Sequence, residues 1–397
     1  MSGAMSWPFL RLYLLVLLYF SANSILNVII PLQGSALGAT NTTIGLIMGA
    51  YLFTTMFFRP WAGQVIQKFG PIKVLRIILI LNGCALILYP FTGLGGYLVG
   101  RMLQGVSTAF FSMALQIGII DALPEKDRSQ GISLYSLFSY IPGIIGPFLA
   151  LGIWQGGMKH FSIIMITIAV STGLFGYSAR IAKKETSYSS NETERNFQTF
   201  ASFVELYKNP HLFKCSILML IGSIVFGAAT IFIPLYADQI QNGNAGIYLG
   251  LMAITVVVCR FTLRKNIPSD GKWHSGFMMI TMLLLALGSQ FVSFSVTGGV
   301  VFFYIGAILM GISQALLYPT LTTYLSFVLP KFNRNVLLGL FIAMADLGVS
   351  LGGVIMGPLA DHFTYSVIYQ ICAIMAALMI IFSYDRRKIF VDYVGHS

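Results

Sequence analysis

Twelve runs of about 20 predominantly apolar residues follow one another along this chain, and each is long enough to cross a bilayer as a helix. They cover residues 8–32, 43–64, 73–92, 96–120, 131–153, 160–180, 211–236, 245–264, 275–294, 299–328, 336–359 and 365–384. Most connections between them are short, which leaves no room for a sizeable soluble domain. A transmembrane barrel would show alternating segments of about 10 residues, and none is visible. Composition agrees: 56% of the residues are hydrophobic and 9% charged, against roughly 25% charged in soluble domains. The expected fold class is an all-α membrane protein with twelve transmembrane helices.

The chain carries a formal net charge of +11, which in a soluble protein would raise the question of nucleic acid. Position decides otherwise. Of the 24 Lys and Arg residues, all but Arg101 and Lys159 fall on one side of the expected spans or at their ends on that side. This is the positive-inside pattern. It predicts a multi-pass protein of the cell membrane with both termini cytoplasmic and with lipid, not nucleic acid, as its surroundings. Arg11 is followed by about twenty apolar residues and by no small-residue cleavage site, so the first run reads as a retained helix. Cys84, Cys215, Cys259 and Cys372 all lie in apolar runs without motif spacing and read as small packing residues. His160, His211, His274, His362 and His396 lie near ends, loops or tails. No metal-ligand cluster and no catalytic set is visible, so neither an enzyme nor a carrier of bare transition metal is expected.

The twelve runs are two copies of a six-run unit. Residues 105–138 read GVSTAFFSMALQIGIIDALPEKDRSQGISLYSLF, and residues 311–341 read GISQALLYPTLTTYLSFVLPKFNRNVLLGLF. Gly105 precedes Pro124 by 19 residues, as Gly311 precedes Pro330, and an arginine (Arg128, Arg334) follows each proline by four, at an offset of 206. Ile30-Pro31-Leu32 matches Ile233-Pro234-Leu235, and Arg59 matches Arg260, each pair at the cytoplasmic or outer end of its run. The expected domains are an N-terminal bundle 1–180, a polar cytoplasmic linker 181–210, a C-terminal bundle 211–384 and a cytoplasmic tail 385–397.

Parallel six-helix halves of this kind resemble the major facilitator superfamily. The loop RPWAGQVIQKFGPIKVLR resembles that superfamily's gating loop through Gly63, Lys68, Gly70 and Lys73, with Gln67 where the family has an acid and Gly271 matching Gly70 in the other half. The stretch LVGRMLQGVSTAFF resembles its fourth-helix motif, with Arg101, Gln104 and Gly105 in place. Pro142, Gly143, Gly146, Pro147 and Gly152 resemble the Gly-Pro motif of its antiporters, although Ala150-Leu151 replaces the double glycine. The resemblance implies a secondary transporter that binds its substrate between the halves, works by alternating access, and draws on a proton gradient with no cofactor.

Helices 1, 4, 7 and 10 would then face the cavity, and polar residues on one face should mark it. The fourth run offers Arg101, Gln104, Thr108, Ser112 and Gln116, spaced 3 or 4 apart; the tenth offers Tyr304, Gly311, Gln314, Tyr318 and Thr322. At the 206 offset Thr108, Ser112 and Gln116 fall on Gln314, Tyr318 and Thr322. Tyr19, Asn23 and Asn27 in the first run, Tyr51 and Thr55 in the second, and Tyr135 in the fifth extend the set. Any one hydroxyl can instead bond its own helix backbone. Arg101 has two readings: contact with a proton or anionic substrate, or a brace bonded to the first helix. Asp346 is the one acid in mid-membrane, and a carboxylate there must be protonated or paired. It is expected to bind the coupling proton or a substrate amine, the alternative being a neutral acid bonded within the bundle.

Several stretches resemble a narrower family, the staphylopine-type opine-metallophore exporters: AMSWPFLRLY, FFRPWAGQ, GPIKVLRIILI, IGIIDALPE, NIPSDGKWH, YPTLTTYLSFVLPK and MADLGVSLGGVIMGPLAD. The central linker departs most. This resemblance implies proton-coupled export of a small organic chelator built from amino-acid pieces, with carboxylates, amines and an imidazole, by a monomer. Three alternatives stay open on sequence: a multidrug efflux pump, a non-transporting sensor and a nutrient importer on the same fold.

Overall fold

The computed structural model describes residues 5–178, 209–263, 266–268, 270–330 and 334–384, without the side chains of residues 67, 120, 121, 125, 126, 128, 129 and 334–336. Gln67, Asp121, Arg128 and Arg334 as side chains, nearly all of the expected linker and the tail 385–397 therefore lie outside the described residues. The described chain forms twelve long helices: α1 (Trp7–Ala36), α2 (Asn41–Phe69), α3 (Pro71–Phe91), α4 (Leu94–Ala122), α5 (Glu125–Gly156), α6 (Met158–Ser178), α7 (Pro210–Tyr236), α8 (Ala245–Thr262), α9 (Ser275–Gly298), α10 (Val300–Val328), α11 (Arg334–His362) and α12 (Tyr365–Ser383). All twelve are long and apolar enough to span a membrane. Ile80, Leu174 and Ile381 are among the large apolar side chains left exposed on the outside; lipid is the solvent that suits such a surface.

Local chemistry sets the helix ends. The Thr40 hydroxyl accepts from the Thr43 N–H at the start of α2, and Asn209 and Asn244 do the same for the first turns of α7 and α8. Gly70 turns the chain from α2 into α3 at φ +82°, and Gly271, its counterpart, adopts φ +73°. Both are left-handed conformations that favour glycine.

The bundle has two ends. One carries the start of α1 and the cations Lys68, Lys73, Arg76 and Lys272; it is called here the basic end. The other, the far end, carries Lys159. The halves meet along two main seams, α2 against α11 and α5 against α8, with a smaller contact between α1 and α7. Glycines set the distance at both seams. A Cβ on Gly45 would run into the Gly353 carbonyl oxygen, and one on Gly246 would lie 3.3 Å from that of Pro147. Gly49 faces the Ser350 carbonyl, and Gly250 that of Ile144. Each of these pairs maps onto the other by the same two offsets, 201 and 206.

The buried core is divided unevenly. One apolar cluster joins the far-end parts of α1–α6, such as Ile25, Ile47, Tyr89 and Ile153, to the whole length of the C-terminal half. A second cluster, around Leu12, Val16, Ile66, Leu75, Phe111 and Ile119, belongs to the N-terminal half alone and lies toward the basic end. The two halves thus share a core at the far end and keep separate ones at the basic end.

Candidate functional site

Arg101 is fully buried on α4. Its Nη1 donates to Asn23 Oδ1 at 2.7 Å and its Nη2 to Asn27 Oδ1 at 2.8 Å, both on α1. Nη2 also reaches Met48 Sδ at 3.3 Å, and Cζ lies 5.3 Å from the centre of the Tyr51 ring. A buried guanidinium is costly unless its donors are met. Here amides, a thioether and an aromatic face meet its terminal nitrogens without a carboxylate, which clamps α1, α2 and α4 together, while its buried Nε makes no hydrogen bond to any described residue. Just below, Thr108 Oγ1 bonds two phenols, Tyr19 at 2.9 Å and Tyr51 at 3.1 Å, and the Tyr19 ring stacks on Phe111 at 3.8 Å. Thr55 on α2 donates to the carbonyls of Tyr51 and Gly105. Gln116 of α4 lies close to Tyr135 of α5.

Other members of the expected set go elsewhere. Gln104 accepts from Tyr89 on α3 at 2.6 Å, which turns it from the α1–α2 group. Ser112 donates to the Thr108 carbonyl on its own helix, and Thr322 to that of Tyr318. Gln314 is half-buried and bonds no described residue. Of the loop residues, Lys68 and Lys73 are exposed and Gly63 has open space where a side chain would begin. Cys215 and Cys372 are buried as packing residues should be, whereas Cys84 is exposed and Cys259 half-buried.

Asp346 is ion-paired across the halves. Arg59 on α2 donates to its Oδ2 from Nε at 3.0 Å and from Nη2 at 2.9 Å. Arg59 is not at the end of its helix as the apolar run implies, because α2 continues for ten more residues to Phe69. The matching place in the other seam holds Arg260 on α8 and Tyr140 on α5, with the guanidinium carbon 4.3 Å from the ring centre. Tyr318 on α10 lies within electrostatic reach of Tyr140, Arg59 and Asp346. At the far end Asp361 of α11 accepts from the N–H groups of Asn41 at 2.6 Å and Thr42 at 3.0 Å, capping α2 from the opposite half.

The family model of the Major Facilitator Superfamily matches residues 12–265 and 273–389. The chain belongs to this superfamily. It is 55% identical over 388 residues, 98% of each chain, to the staphylopine export protein of Staphylococcus aureus. It is 21% identical to an uncharacterized MFS-type transporter of Escherichia coli K12, over 96% of this chain and 93% of that one. Among solved structures it is similar in fold to the nucleoside transporter NupG, with TM-score 0.77, 15% identity and 95% and 98% of the chains covered. The D-xylose-proton symporter is similar too, with TM-score 0.73, 13% identity and 95% and 96% covered. This is a multi-pass membrane transporter of the superfamily, with an all-helical fold in twelve spans.

Within that superfamily fold, Arg59 and Arg260 are the residues that motif matching overlooks. They occupy matched places in the repeat, Arg59 inside α2 and Arg260 in the last turn of α8, and face the Asp346 carboxylate and the Tyr140 ring across their seams. The 206 offset also pairs Asp346 with Tyr140, a correspondence visible in the sequence once the repeat is aligned.

Proposed function

We propose that this chain exports an opine-type metallophore of the staphylopine class from the cytoplasm, exchanging it for protons by alternating access. The observation that carries this reading is the 55% identity with the staphylopine export protein across 98% of both chains. The charge pattern supports a cytoplasmic basic end, hence cytoplasmic termini and a cell-membrane location. The halves share a core at the far end only, which suits a cavity loaded from the cytoplasm.

Asp346 is the proposed proton carrier. Its ion pair with Arg59 holds α2 to α11, and a proton on the carboxylate removes one of the two charges that make the contact. One proton is thereby exchanged for one contact between the halves. Arg101 serves as the internal brace of the N-terminal half, because both of its terminal nitrogens are already satisfied. The substrate sits between the halves among Tyr51, Tyr135, Gln314 and Tyr318, and the transporter acts as a monomer without a cofactor.

Metabolite profiling tests the reading. Deleting the gene under metal starvation should leave the chelator inside the cells and remove it from the medium. An unchanged chelator with new sensitivity to dyes or antibiotics would replace this reading with multidrug efflux.

A further inference from the structure

Arg59 and Arg260 occupy matched places in the two halves, 201 residues apart, and face residues 206 apart on the helices across their seams. The partners differ in charge. Arg59 meets the carboxylate of Asp346 at 2.9 Å. Arg260 meets the neutral phenol ring of Tyr140 at 4.3 Å, and among the described residues no carboxylate pairs with it. Its Nε is buried and makes no hydrogen bond, as with Arg101, but unlike Arg101 it has no hydrogen bond from its terminal nitrogens to any described residue either. The α2–α11 seam is therefore neutral at this level, and the α5–α8 seam carries a net positive charge.

A guanidinium without a counter-ion in the last turn of a membrane-length helix carries a desolvation cost that the helix C-terminus offsets only in part. Stacking on an aromatic face offsets part of that cost and occupies only the face of the planar group. The N–H edge remains, in the fork geometry that matches a carboxylate. Arg101 is a poorer receptor for an anion, since a substrate would first have to displace Asn23 and Asn27 from it. Tyr318 lies within electrostatic reach of both Tyr140, on which Arg260 rests, and the Arg59–Asp346 pair.

We propose that Arg260, held by Tyr140, is the residue that binds a carboxylate of the exported substrate. This rests on the export reading and deepens it: the substrate's negative charge is read on the α5–α8 seam, and the proton on the α2–α11 seam. The ligand class is an amino-acid-derived anion with at least one free carboxylate, and an uncharged lipophilic compound would gain nothing from the site.

The experiment uses the full chain purified into proteoliposomes, with staphylopine as the probe. Arg260→Gln should raise KM by about ten-fold or more, with kcat held within about three-fold, as expected for loss of a charge-assisted bond. Arg260→Lys should fall between wild type and Arg260→Gln, because it keeps the charge and loses the fork. Alkylation of an Arg260→Cys variant in membranes should slow when staphylopine is added, a readout that needs no transport. A KM within about two-fold of wild type in Arg260→Gln, or alkylation indifferent to staphylopine, overturns the assignment. If wild type itself moves no staphylopine, the export reading falls and takes the assignment with it. Wild-type flux with an unchanged variant removes the assignment alone.

Discussion

The α2–α11 and α5–α8 seams share one backbone plan and carry different chemistry. Both are brought close by glycines at matched positions, Gly45 and Gly49 on one side and Gly246 and Gly250 on the other. Along α2–α11 the contacts are ionic and capping: Arg59 with Asp346, and the α2 N-terminus with Asp361. Along α5–α8 they are aromatic and apolar: Arg260 on Tyr140, Gly250 against Phe148, and Gly246 against Leu151. Duplication preserved what sterics demands and let the side chains diverge. A pair of identical seams would respond identically to a proton; these two cannot.

The largest expected effect is at Asp346. Asp346→Asn leaves Arg59 without its partner, and removing one member of a hydrogen-bonded charge pair costs about 2–5 kcal/mol where it is buried. The low end applies here, because the Arg59 side chain is 29% exposed. Export should lose its pH dependence in vesicles, and the double variant Arg59→Gln/Asp346→Asn should regain stability without regaining that dependence. Asp346→Asn with wild-type pH dependence would remove Asp346 from the mechanism. Tyr140→Asp makes the second seam resemble the first. It should pair Arg260 and depress staphylopine transport by about ten-fold, the scale of one charge-assisted contact; undiminished flux would show that the difference between the seams is idle.

Steric contrasts come next. Gly45→Ala puts a methyl into a backbone carbonyl, which cannot withdraw alone, and should cost about 1–3 kcal/mol in a thermal melt. Gly246→Ala chiefly meets the end of a leucine side chain, 2.8 Å away, and should melt closer to wild type. Equal losses would break the claim that the α2–α11 contact is the tighter. Asp361→Asn weakens a cap and should cost about 1 kcal/mol by the same melt.

The smallest contrast is in the paired loops. Asp270 accepts from the Lys272 N–H and from His274 Nε2 at 2.9 Å, and these bonds, the Lys272 one first, hold its carboxyl below the usual range. A depressed folded value means the contribution is present above the ordinary aspartate pKa of about 3.9 and fades as pH falls through the folded one. Asp270→Asn should therefore loosen the 270–274 loop, by amide exchange, at neutral pH and make no difference in strong acid.

Much of this was legible in the residues. Twelve apolar runs place twelve helices because lipid punishes any unpaired backbone, so span length and composition carry the fold. The repeat Gly105/Gly311 marks close helix contacts, and the Arg101–Asn23–Asn27 and Tyr19–Thr108–Tyr51 groups were visible as polar residues on facing stripes. Arg59 was hidden because α2 outlasts its apolar run: a helix continues into the polar region after hydropathy falls, so an internal arginine looks terminal. Gln104 was misleading for another reason. Residues 3 or 4 apart sweep a broad arc of the helix, and one edge of that arc faces Tyr89 on α3. Which seam would be ionic and which aromatic needed the partner helix, set by tertiary packing rather than by the spacing within either helix.

The cap on α2 has a consequence for observation. The first N–H groups of that helix are satisfied by Asp361, a residue 320 positions away in the other half. The helix is complete at that end only while the halves touch there. Exchange of the Asn41 and Thr42 amides with solvent deuterium is thus a built-in clock for separation of the far end, native to the chain.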